Sequence, residues 1–146
     1  MQSVQQFDRL GPWFLGDRNK LGEKGFIKFL SKVRVRNLTK GTVLAEHAEV
    51  ANTSAKRRTG LLKHDQLQPG DGLWIVPCEA VHTIGMTFAI DVLYLSKARK
   101  VLKIRPEMGK WRFSACLRAH SVLELPSKMA EVTSTKVGDQ LEFVKI

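Results

Sequence analysis

The strongest constraint on this chain is the spacing of its turn-forming residues. Beyond position 32, short apolar runs are closed at intervals of about ten positions by Gly, Pro, Asn, Asp and Ser, which leaves room for strands but not for long helices. Val33-Arg34-Val35-Arg36 alternates strictly, as a half-buried strand does. Asn37-Leu38-Thr39-Lys40-Gly41 supplies turn residues, so 33–51 reads as a hairpin whose second arm starts at Thr42. Gln68-Pro69-Gly70-Asp71-Gly72 is a turn. Leu73 to Val76 is then a buried strand stopped by Pro77. Further strands are expected at Ile90–Leu95, Val101–Arg105, Phe113–Leu117, Ser121–Leu125 and Leu141–Ile146. Thr53 or Ser54 caps a short helix over Ala55–Lys63, and a second short helix follows Pro126 with Ser127 as its cap. The expected fold is mostly β (α+β): a small antiparallel barrel or sandwich with one or two short helices.

Residues 1–32 do not share this rhythm and read as an N-terminal extension preceding one β-rich domain, 33–146. Gly11-Pro12 breaks any early helix. From Leu21 to Lys32, Phe26, Ile27 and Leu30 fall on one helical face and Lys24, Lys28 and Lys32 on another. The net charge of +10 is uneven: residues 1–40 carry nine Lys and Arg against three acids, the rest fifteen against eleven. A basic segment suits nucleic acid or an anionic surface, though it also serves as a solubilising tail. No phosphate loop, dinucleotide fingerprint, helix-turn-helix or RNA-recognition motif is present. No apolar run is long enough to span a membrane. The first residues lack a basic stretch followed by an apolar one, so the expected location is cytoplasmic.

Two cysteines are too few for a disulfide scaffold. Each is followed four positions later by a histidine: Cys78 by His82, and Cys116 by His120. Positions i and i+4 share a face in a helix or a strand, so these four side chains form a candidate zinc set. The same residues offer a cysteine nucleophile with a histidine base and Asp91 as orienter, although no nucleophile elbow accompanies them. The bland reading is a small buried thiol and a hydrogen-bonded rim histidine. Asp91 sits inside the apolar strand Ile90–Leu95, where a carboxyl must be paired, neutralised or hydrogen-bonded by neighbouring backbone.

Five stretches carry a family resemblance: Arg57-Arg58-Thr59-Gly60-Leu61-Leu62, Leu67-Gln68-Pro69-Gly70-Asp71-Gly72-Leu73, Phe88 to Leu95, Ser121 to Pro126, and Gly138-Asp139. In this order they resemble the prokaryotic family called domain of unknown function 192, over about 51–146. The resemblance implies a compact β-rich domain and brings no activity, substrate or catalytic residue. Many members carry an aromatic-Met-Lys-Asn-Thr stretch before the aspartate. Here the segment is His82-Thr83-Ile84-Gly85-Met86, so any chemistry of that stretch does not transfer. The expectation that results is a noncatalytic ligand- or partner-binding domain, with its surface around Trp74, Cys78, His82, Asp91, Cys116 and His120. The alternatives are a metal- or thiol-dependent enzyme using Cys78, His82, Cys116 and His120, and nonspecific binding of nucleic acid or an anionic surface through the basic segment.

Overall fold

The computed structural model describes Ile27 and residues 31–146. The chain divides into two compact units, 1–30 and 31–146. The β-rich fold belongs to the second unit. Apart from Ile27, the amphipathic pattern before Ser31 lies outside the described residues.

Nine strands form in the second unit: β1 (Lys32–Asn37), β2 (Thr42–Ala51), β3 (Asp71–Ile75), β4 (Ala80–His82), β5 (Ile90–Leu95), β6 (Val101–Met108), β7 (Phe113–Ala115), β8 (Ser121–Pro126) and β9 (Leu141–Lys145). Two short helices interrupt them, α1 (Ser54–Thr59) and α2 (Met129–Val132). Seven strands make one sheet in the order β6-β5-β8-β3-β2-β1-β9, curled into a half-barrel, and β4 pairs with β7 as a separate ribbon. The expected β-rich class is therefore what forms. All pairings in the large sheet are antiparallel except β2 with β3. That parallel step follows from α1, which carries the chain over so that β3 starts level with the middle of β2.

The register sorts the side chains into two faces. One cross-strand row runs Trp74, Leu123, Leu93, Ile104; the next runs Leu73, Glu124, Val92, Arg105. Successive residues point to opposite faces, so Trp74 and Glu124 lie on opposite sides of the sheet. On the first face the Trp74 ring packs on Phe143, with centroids 4.2 Å apart, and the Arg99 guanidinium lies 5.4 Å from the Trp74 centroid. On the second face Leu61, Leu73, Ile75, Val81, Met86, Val92 and Tyr94 belong to one buried cluster that Cys78 and Cys116 flank. Strands β5 and β8 are buried at every position, which explains their near-continuous apolar runs.

Helix α1 has the expected cap: the Thr53 hydroxyl accepts from the Lys56 N–H at 3.2 Å. It stops at Gly60, φ 48°, short of the expected end near His64. Helix α2 departs from expectation at its start. Lys128, in a left-handed conformation, stands at the N-cap with no side-chain bond of its own. The cap role passes from Ser127 to a residue of the sheet, Asp91, whose carboxylate accepts from the Lys128 and Ala130 N–H groups.

Strands β3 and β8 approach closely at Gly72. A Cβ there would stand 3.2 Å from the Glu124 carbonyl oxygen and 3.3 Å from Leu125 Cδ2. Overpacking of this kind costs about 1–3 kcal/mol. Gly72→Ala is expected to fall in that range by urea melts; an unchanged midpoint would show that the two strands separate freely.

Candidate functional site

Cys78, the first of the paired residues, lies just outside β3, after a cis Val76–Pro77 bond. Its N–H donates to the His120 carbonyl at 3.0 Å, and the Cys116 N–H donates to the Glu79 carbonyl at 2.8 Å. The two Cys-x-x-x-His stretches are thus brought together through their backbones. Their side chains share less. Cys78 and Cys116 lie just outside the strands, and a turn at 117–118 separates Cys116 from His120, so those two do not share one unbroken strand or helix. Among the described residues no three His, Cys, Asp or Glu side chains are grouped so as to hold a metal ion.

Trp74 and Asp91 lie on the first face of the sheet, away from the thiols. Asp91 is fully buried and accepts from three backbone donors: Glu107 N–H at 2.9 Å, Lys128 N–H at 3.1 Å and Ala130 N–H at 2.8 Å. Its oxygens are committed to holding the β6 bend and α2 against the sheet.

Cys78 and His82 do line one cleft of about 540 Å³, between α1, the segment after β3, β4 and β8. Leu61, Ile75, Val81 and Met86 give it apolar walls, with Arg57, Arg58 and Glu79 among its polar lining. The stretch in which the chain departs from the resembled family, His82 to Met86, supplies two lining residues, His82 and Met86.

Glu124 of β8 also lines this cleft, and it was not among the expected site residues. The register flanks it with Leu73 and Val92. It is 4% exposed, and its Oε2 has no hydrogen-bond partner among the described residues. Burial without a compensating partner penalises the charged form and pushes the carboxyl up to about 8, so at neutral pH it is a protonated acid that can donate. The signal was present in the sequence: Glu124 interrupts Val122-Leu123 and Leu125 as Asp91 interrupts Ile90 and Val92.

Cys78 lines the same cleft as this carboxyl and Arg57. Burial pushes its thiol above the ordinary value; a bond from Sγ to the Ala80 carbonyl, 3.2 Å, and the Arg57 guanidinium offset part of the rise. Burial likewise raises the nearby Tyr94 phenol, and the Ser114 hydroxyl beside it lowers it in part. Among the described residues neither of those two oxygens finds a partner of ordinary hydrogen-bond geometry.

Comparison with known proteins places this architecture. The family model DUF192, described as Uncharacterized ACR, matches residues 35–143. A UPF0127 protein of Pyrococcus furiosus is 32% identical over 114 residues, covering 73% of this chain and 95% of the relative. Another UPF0127 protein, from Thermococcus sibiricus, is 28% identical over 116 residues, 73% of this chain and 72% of the relative. A crystal structure from Sinorhizobium meliloti, described as a candidate transcription regulator, superposes with a TM-score of 0.71 at 20% identity, covering 78% of this chain and 95% of that one. A protein of unknown function from Novosphingobium aromaticivorans gives 0.65 at 23% identity, with 77% and 84% covered. At these identities the structural likeness concerns the fold alone.

Proposed function

The chain belongs to the DUF192 family, and from its geometry we propose that it works as a noncatalytic small-molecule-binding domain whose ligand enters the cleft between α1 and β8. The observation that carries this reading is Glu124: a buried carboxyl with an unpartnered oxygen, lining a cleft of ligand size. Burying such a group costs free energy unless something satisfies it. Pockets of roughly this size, with apolar walls and a few placed polar groups, are where small molecules bind. Cys78 favours binding over thiol chemistry, because a thiol held protonated by burial is a poor nucleophile. In this reading Cys78 and His82 contact the ligand, the turn holding Cys116 and His120 supports the Cys78 backbone, and Trp74 and Asp91 hold the sheet.

The test is a titration of the full chain with benzoate, benzamide and benzylamine, followed by amide chemical shifts. At least one of the three is expected to bind saturably, with shifts concentrated at Leu61, Cys78, His82 and Met86. Absence of saturable binding by all three, or shifts centred elsewhere, would overturn the assignment.

A further inference from the structure

Resting on that reading of the cleft, we infer that its ligand is a small organic acid, bound as the carboxylate between the Arg57 guanidinium and the Glu124 carboxyl with its apolar body against Leu61, Ile75, Val81 and Met86. Arg57 is half-buried, yet among the described residues its side-chain bonds are long ones to neutral oxygens, 3.5 Å to the Val76 carbonyl and 3.3 Å to the Ser54 hydroxyl. Ion pairs among the described residues include Arg34–Glu46, Arg36–Glu142 and Lys40–Asp139. Among the described residues no carboxylate pairs with Arg57. A guanidinium is a planar fork of donors suited to a carboxylate.

Glu124 supplies the complementary half. As a neutral acid it offers an O–H, which a carboxylate accepts strongly. Both groups line the same cleft as Cys78, so they address one space. A cationic ligand would meet Arg57 and Arg58 on the lining, and a neutral amide would leave Arg57 without an anion. Glu79 also lines the cleft, but it is exposed, where water weakens its repulsion of an anion.

The same three probes decide the class when titrated at pH 7 and pH 9. Benzoate is expected to bind tightest. Its affinity should fall about tenfold between those values, as the fraction of Glu124 holding its proton falls around a midpoint near 8. The other titratable and charged groups facing Glu124 are Cys78, Glu79, His82 and Tyr94, with Arg57 and Arg58. Glu124→Gln controls for all of them, because it keeps a donor at every pH: benzoate affinity should then vary little over this range. Arg57→Leu should weaken benzoate at least about tenfold, the worth of one charge-assisted bond, with partial recovery in Arg57→Lys. Tighter binding of benzylamine that strengthens as pH rises would overturn the carboxylate class and leave the cleft standing, as would benzamide binding tightest at both pH values. Failure of all three probes would instead remove the cleft as a binding site.

Discussion

Asp91→Ala is expected to lower the unfolding free energy by about 4 kcal/mol, the size of effect seen when a buried, fully engaged charged group loses its partners. The carboxylate is fully buried and accepts from three backbone N–H groups at 2.8 to 3.1 Å. Two belong to residues in left-handed conformations, Glu107 at φ 45° and Lys128 at φ 70°. Such conformations are uncommon for residues with a Cβ and persist where surrounding structure holds them. The third donor, Ala130, lies in the first turn of α2, a helix of four residues, too short to form on its own propensity. Alanine would therefore leave three donors without an acceptor and release α2 together with the β6 bend. Asp91→Asn should fall between the two, since its amide oxygen still accepts while its NH₂ faces a backbone donor. Urea melts at neutral pH check the ranking. If Asp91→Ala cost under about 1 kcal/mol, in the range of an ordinary surface change, Asp91 would not be the tie between sheet and helix.

How far the sequence discloses this molecule depends on whether the deciding interaction is local. The β1–β2 hairpin, the turn before β3 and the strands β5, β8 and β9 are set by alternation and turn chemistry within a few residues, and each was legible. The β4–β7 ribbon was half missed, because β4 is three residues long and its partner lies more than thirty positions away. The parallel contact of β2 with β3 is likewise a matter of topology. The candidate site shows the same division. Cys78 and His82 stood out by residue type, and both line the cleft. Their spacing assumed an unbroken strand or helix, whereas the chain turns at 117–118 between Cys116 and His120. Asp91 drew attention as an acid in an apolar strand, and the local-backbone reading describes its contacts. Glu124 carried the same local signal in Ser121–Pro126. What separates the two acids is whether the opposing surface brings N–H donors, and that surface comes from other parts of the chain.

The stability of the wild-type protein should decline with pH across the range where Glu124 ionises in the unfolded chain but not in the folded one. Its unfolded value is near 4.5 and its folded value about 8. Below 4.5 both states hold the proton, so the contribution of the neutral acid is fully present. Between the two values the unfolded chain releases a proton and the folded chain keeps it, so unfolding becomes more favourable as pH rises. Above about 8 both are ionised and the change ends. One proton over this window corresponds to about 1.4 kcal/mol per pH unit, or about 5 kcal/mol in all, a large share of what holds a domain this size together. Glu124→Gln and Glu124→Leu should remove this component. The amide leaves buried donors that lower its absolute stability and leucine does not, but neither side chain titrates, so both should flatten the difference in slope equally. Urea melts at pH 5, 6, 7 and 8 measure it. Wild-type and variant curves that run parallel over this range would mean that Glu124 already carries its charge in the folded protein, and the donor required for carboxylate binding would be missing at neutral pH. If the slopes diverge, saturating benzoate should raise the wild-type stability at pH 7 and raise it less by pH 9, because the bound anion stabilises the protonated acid.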